Sequence, residues 1–396
     1  MEIIMQHKEA KLAKRYDIPG RSRAFTDTVY SGACENRQDK FDLLRMADQQ
    51  HFPPQPEYRV FFGELHGHSN LSDGHVDIDT YFQTLRDKAG LDFAALTDHD
   101  HGGVGYAELW GEKWERIKAE VKRYNDPGKF TTILAYERDS YPWYNNMVVY
   151  FDNYDAELLR GEHDGELTRE ELHTWLARPD LIMVPHDTNT ISAGADFLSM
   201  EPADMTPLIQ VYSRHNCSER YDPQLFSGSD CEGGHWIDAL ERGAKMGCIA
   251  SSDDHSGTNG LILTDKSYPH NYPGICCVWA KENTLPAIFE ALKARRCYAS
   301  MGGRITLDFR INGHYMGEEI EDPGERYVFF RISAEEPVDM VTIVKNGRDY
   351  IRLQNMDAYT LIDYRKERSV DYYYIRARLK DGRMVWSSPI WVGTDE

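Results

Sequence analysis

Gly63–His101 reads GELHGHSNLSDGHVDIDTYFQTLRDKAGLDFAALTDHDH. It holds an HxH pair (His66, His68), an SDG turn (Ser72, Asp73, Gly74) and a TDHDH run from Thr97 to His101. Nitrogen and oxygen ligands packed this densely suit a site for divalent metal ions. His66 and His68 stand two apart, and on an extended chain such residues face one side. Asp73 serves equally well as a ligand, an Asx turn or a helix N-cap for the residues from Val76 onward. His75 and His101 carry a weaker signal, because neither ends an apolar run.

Outward from this stretch, apolar runs of strand length alternate with helical stretches from Tyr58 to about Ser300. The predicted strands are YRVFFGEL, LDFAALT, FTTILAY, MVVYF, LIMVP, LIQVY, GCIAS and GICCVWA. Helical spacing falls between them over 77–89, 106–124, 168–177, 235–245 and 284–295. Repeated alternation over this length predicts parallel strands closed into a barrel by crossover helices. The rival doubly wound sheet lacks any GxGxxG or P-loop to support it.

The polar residues sharpen that expectation. His66 and His68 follow the first strand, Asp98 and His99 the second, and Glu137 the third. His186 follows LIMVP, Arg214 and His215 follow LIQVY, and Asp253 and His255 follow GCIAS. Six strands thus run into ligand-type residues at their C-terminal ends, where barrel active sites are built. Glu137 closes an apolar strand that has no structural need for a charge, and burying it without a cation is costly. Asp98 is a candidate for orienting a ligating imidazole. Either Arg214 or His215 is placed to contact substrate.

Before Tyr58, residues 1–55 show no sustained period. They read as an arm packed on the main body or on a neighbouring subunit, with 40–50 as a short helical candidate ended by Pro53, Pro54 and Pro56. Beyond Gly302-Gly303 the texture becomes alternating, as in half-buried antiparallel strands. Asn346-Gly347 and Asp381-Gly382 fit two-residue hairpin turns. The expected organisation is an arm (1–55), a barrel carrying the ligand-type residues (56–302) and a small all-β sandwich (303–396).

The totals exclude several function classes. A net charge of −20 repels long nucleic acid, yet a small anionic substrate can bind where metals reverse the field. No run of about 18 apolar residues suggests a membrane span. The start has no secretory pattern, and seven scattered cysteines without a CxxC pair suit a reducing cytoplasm.

The ordered set HxH, SDG, TDH, strand-end Glu, Pro-His and SDDH resembles the PHP (polymerase and histidinol phosphatase) superfamily over roughly residues 58–300. With VYSRHNCSE (Val211–Glu219) and MVWSSPIWV (Met384–Val392), the chain looks most like the DUF3604 group. The resemblance implies a distorted (β/α)7 barrel followed by a small all-β sandwich, with two or three divalent metal ions, manganese, iron or zinc. Carried over by position, His66, His68, Glu137 and Asp253 hold the first ion. Glu137 bridges to a second, joined by His186 and His215, while Asp73, His99 and His255 hold the third. Two departures stand out. Asn145 or Asn146 occupies the place of a further histidine, and Glu64 stands where relatives often carry Asp.

The reaction this predicts is hydrolysis of a small phosphate ester by a metal-bridging hydroxide. Arg138, Arg214 and the Arg295-Arg296 pair are candidate phosphate contacts, and His215 or His101 candidate proton donors to the leaving group. Hydrolysis of a carbon ester or amide, or a non-catalytic metal scaffold, are the alternatives. Homo-oligomer formation is left open.

Overall fold

A computed structural model describes residues 44–46, 57–100, 109–139, 146–159, 168–190, 194–220, 231–263 and 270–394. Within residues 1–55, Leu44–Met46 form β1, a strand where a helix was expected, and the rest of 40–50 lies outside the described residues. The first large part then runs β2 (Arg59–Glu64), α1 (Ile78–Gln83), β3 (Phe93–Leu96), α2 (Glu112–Tyr124), β4 (Thr131–Asp139) and β5 (Asn146–Phe151). It continues through α3 (Arg169–Leu176), β6 (Leu181–Pro185), β7 (Leu208–Tyr212), α4 (Trp236–Glu241), β8 (Gly247–Ala250), β9 (Gly274–Ala280) and α5 (Leu285–Lys293).

Local chemistry explains these helices. Asp77 caps α1 by accepting from Thr80 N at 2.7 Å. Thr168 and Glu171 form a reciprocal capping box on α3. In α2 the buried Trp114, Ile117, Val121 and Tyr124 recur at helical spacing and cover the sheet.

The fold is mixed α/β, with a large sheet and few helices, and the regular sevenfold strand–helix barrel is not what it shows. β2, β3 and β4 are parallel, but β5 is antiparallel to β4 and β6 antiparallel to β5. The connection from Asp139 to Asn146 is too short for a crossover helix, so the chain turns back as a hairpin. β9 is likewise antiparallel to β2, and β7 and β8 form a separate parallel pair. These strands nonetheless enclose one apolar interior. Phe61, Phe93, Ile133, Val148, Ile182, Leu208, Ile249 and Val278 share a cluster that α5 plugs with Ile288 and Phe289.

The remaining strands are β10 (Cys297–Met301), β11 (Thr306–Ile311), β12 (His314–Tyr315), β13 (Glu319–Ile320), β14 (Arg326–Ser333) and β15 (Val338–Lys345). After them come β16 (Arg348–Gln354), β17 (Ala358–Asp363), β18 (Val370–Leu379), β19 (Met384–Ser387) and β20 (Ile390–Gly393). One layer has the order β1-β17-β14-β11-β12. The other, with β15, β16, β18 and β20, continues through β19 and β10 into β9 and β2, so one sheet runs through both large parts. At the β15–β16 turn Asn346 and Gly347 have φ of 50° and 74°, the left-handed pair such a hairpin requires. Among the described residues no helix is long and apolar enough to cross a membrane.

Candidate metal centre

The ends of β2, β3, β4, β6, β7 and β8 meet on one side of the apolar interior. Isolated parallel bridges, Gly67 with Asp254 and His99 with Glu137, carry the pairing past the strand ends and lock these loops together. Asp187 and Asp253 both adopt left-handed backbone, with φ of 48° and 53°. Aspartate tolerates that region better than most residues, and such strain gathers at functional sites.

Four overlapping groups result, each with ligand atoms within 4.8 Å of one another. His66, His68, Glu137 and Asp253 form the first; His68, Asp73, His99 and His255 the second; His186, Asp187 and Asp253 the third; His215, Asp253 and His255 the fourth. Glu137 Oε2 lies 3.0 Å from His66 Nε2, 3.2 Å from His68 Nε2 and 3.5 Å from His99 Nδ1. Its other oxygen is 2.8 Å from His186 Nε2. Asp253 Oδ1 is 3.3 Å from both His66 Nε2 and His68 Nε2, and Asp73 Oδ2 is 3.0 Å from His255 Nε2.

This arrangement fits divalent ions. Two ligands each about 2.1 Å from a tetrahedral ion stand roughly 3.4 Å apart, close to the separations here. Hydrogen bonding alone leaves His68 Nδ1 and His186 Nδ1 buried without partners. Their nearest carboxylates, Asp73 and Asp253, stand at 3.6 and 3.7 Å, beyond a hydrogen bond but within reach through a shared ion. The all-nitrogen-and-oxygen donor set suits zinc, manganese or iron.

Electrostatics agree. Burial opposes ionisation of Glu137, but His99, His186 and His66 hold its carboxyl well below the usual range. Asp253 behaves alike: burial opposes its charge, and His66 and His215 overcome it. Asp73, despite partial burial, is brought down to about 2 by its bond to His255 and by His68 and His99.

Several surrounding residues set the ligands. Gln210, in the middle of β7, accepts from His66 Nδ1 at 3.1 Å and so leaves Nε2 facing the carboxylates. Glu64 binds the Ser252 amide at 2.8 Å and the Ser252 hydroxyl, tying the end of β2 to the loop carrying Asp253; burial raises its pKa to about 7. Asn146 donates to Glu137 Oε1 at 2.9 Å.

The structure brings together His66, His68, Asp73, His99, Glu137, His186, His215, Asp253 and His255. Asp187 joins them although the sequence reading passed over it. Asp98 departs from expectation: its carboxylate binds Ser69 N and the hydroxyls of Ser69 and Ser72, which fixes the loop before Asp73 and does not orient an imidazole. The cap of α1 is Asp77, which frees Asp73 for the histidines. His75 is exposed. His101 and Asn145 lie outside the described residues.

The candidate arginines go elsewhere. Arg214 is fully buried, paired with Asp254 and bonded to Thr258 Oγ1 at 2.8 Å and to the Thr258 and Leu261 carbonyls; it fixes that loop and does not face the cluster. Arg138 follows Glu137 on the opposite face of β4, where Asp100, the Leu159 carbonyl and the Trp175 ring hold it. Arg295 binds Glu319 and Arg296 binds the Trp279 carbonyl. Trp279 pairs with Val60 near the start of β2, whereas His66 and His68 follow its end.

Among known sequences, the chain is 24% identical over 361 residues to an uncharacterized protein of Chlamydia pneumoniae. It is 25% identical over 362 residues to an uncharacterized protein of Chlamydia muridarum. Each match covers 84% of this chain and 57% of the relative, so the chain spans just over half the length of the curated relatives it matches. Among solved structures, a two-domain protein of Bacteroides vulgatus described as containing a predicted PHP-like metal-dependent phosphoesterase matches 87% of this chain and 99% of its own, at 15% identity and a TM-score of 0.42. The model of the family described as protein of unknown function (DUF3604) matches residues 80–221 and 262–326, together just over half of the chain, and the chain belongs to that family.

Proposed function

We propose that this protein is a metal-dependent hydrolase of the PHP type acting on a small phosphate ester. The observation that carries the reading is the convergence of four carboxylates and six imidazoles from six strand ends at ligating separations. His66, His68, Glu137 and Asp253 would hold one ion; His68, Asp73, His99 and His255 a second; His186, Asp187 and Asp253 a third, with Asp187 standing in for the histidine replaced near Asn146. Bound divalent cations supply Lewis acidity, lowering the pKa of water and neutralising charge on a phosphoryl group.

The chain's own residues do the rest. Gln210 holds the His66 ring so that Nε2 is presented inward. Glu64 and Arg214 hold the loops on which Asp253 and His255 stand. His215 is the most open of the clustered histidines, with a side chain 35% exposed, and its Nε2 stands 2.9 Å from the Asp253 carbonyl. That exposure supports it as our candidate proton donor to a departing group. In this reading residues 56–302 carry the hydrolytic site and residues 303–396 buttress it.

The test is metal analysis of protein purified without chelator, then a panel of phosphate esters, carbon esters and amides. Phosphate release by the parent and its loss in His66→Ala and Asp253→Ala is expected. Activity that survives in both variants, or release only of carboxylate or amine, overturns the reading.

A further inference from the structure

A cavity of about 560 Å³ is lined by side chains of β15, β16, β18 and β19 together with Arg220. Its residues follow from strand register. Thr342 stands opposite Arg352 on one side and Arg376 on the other, and Met340 and Met384 both stand opposite Arg378. Cross-strand partners share a face, so three arginines line one surface floored by Met340, Thr342 and Met384. Arg220, five residues beyond His215, and Lys380 close the sides.

The charge here is unlike that of the whole chain. Five cationic side chains line the cavity, and the lining carboxylate, Asp339, accepts from Arg378 Nε at 2.9 Å and from its Nη2 at 2.6 Å. Two further carboxylates lie buried against the arginines. Glu219 accepts from Arg376 at 2.6 Å, from Tyr374 at 2.7 Å and from Trp386 at 2.9 Å, and Asp349 pairs with Arg220, Arg352 and Arg376. These carboxylates set the guanidinium planes, and an excess of two positive charges is left among these groups. On a chain of net charge −20 this is a local reversal of field. Forked guanidinium donors favour phosphate. The volume is that of a small-molecule cleft and exceeds the needs of a bare anion, and the methionine floor suits an organic group.

We propose that this cavity binds a small phosphorylated organic molecule, its phosphate dianion held by Arg352, Arg376, Arg378 and Lys380 and its apolar part on Met340 and Met384. The site shares no residue with the metal cluster and does not rest on its assignment.

The test is calorimetric titration of the full chain, freed of metal by chelator and dialysis, with phenyl phosphate, inorganic phosphate and phenol. Saturable 1:1 binding of phenyl phosphate is expected, tighter than inorganic phosphate, with none for phenol. Arg378→Gln and Lys380→Gln should each weaken it about tenfold, and His66→Ala should leave it unchanged. Both substituted residues are exposed, so the variants keep the fold, which circular dichroism verifies. Absence of saturable binding, parental affinity in both variants, loss of binding in His66→Ala, or phenol binding as tightly as phenyl phosphate overturns the proposal. Inorganic phosphate binding more tightly than phenyl phosphate overturns the organic half.

Discussion

Replacing Gln210 by Leu isolates one contact of the metal centre. The side chain is buried in β7, its Oε1 accepts from His66 Nδ1 at 3.1 Å, and its Nε2 has no hydrogen-bond partner. Leucine of similar volume therefore removes a single polar contact and leaves the His66 N–H buried and unsatisfied. That costs about 1–3 kcal/mol. Because the contact also fixes which ring nitrogen is protonated, the cost falls on ligation, a loss of roughly 10- to 100-fold in affinity for the ion at His66. Competition between the protein and a chromophoric chelator for zinc or manganese measures it. Gln210→Glu keeps an acceptor and should retain or raise the affinity. Parental affinity in Gln210→Leu, with unchanged circular dichroism, would refute the claim that this bond orients a ligand.

Three other outcomes are expected. Burial lowers the basicity of His66, but Asp253 and Glu137 outweigh it and raise the pKa to about 9, so metal binding below that pH expels a proton and affinity climbs with pH up to about 9. Calorimetry in buffers of different ionisation enthalpy detects that proton. In chelator-treated protein the same shift stabilises the fold fully below the ordinary histidine pKa of about 6.5 and ceases to do so as pH rises through about 9, which thermal denaturation across that window checks. Asp187→Asn should lower the metal content or weaken one ion relative to the parent by elemental analysis, and an unchanged stoichiometry and affinity would remove Asp187 from the ligand set. Arg214→Met strands the buried Asp254 and should destabilise by about 3–5 kcal/mol in urea denaturation; a change below about 1 kcal/mol would mean the pair is dispensable.

The legible part of the site was the part written at strand ends. A histidine or acid directly after an apolar run is conspicuous, and His66, His68, His99, Glu137, His186, His215, Asp253 and His255 reached the cluster while Asp98 turned to Ser69 and Ser72. Asp187 was not conspicuous, because an aspartate after His186 in a loop reads as a turn residue until its backbone is known to be left-handed. Gln210 did carry a signal: a lone amide inside LIQVY needs a partner when both faces of the strand are buried. Arg214 misled for another reason. It and His215 form the bend of a turn closed by the Ser213 amide on the Asn216 carbonyl at 2.9 Å, and that turn sends His215 to the cluster and Arg214 to Asp254. In the fold, strand positions were readable from apolar runs, but direction was not, since it depends on what the connection can span. The length between Asp139 and Asn146 held that information. β10 carries no such run, because its strand character rests on distant partners, Gly274–Val278 on one side and Val385–Ser387 on the other.

The shared sheet has a mechanical consequence. Rotation of the C-terminal strands away from the metal-bearing ones would break the β10 ladder with β9 and β19, together with the bond from Trp279 Nε1 to the Leu307 carbonyl at 3.0 Å. The two large parts therefore do not act as jaws. Truncation at Gly302 would leave β10 and β19 as bare edges, inviting self-association of either fragment.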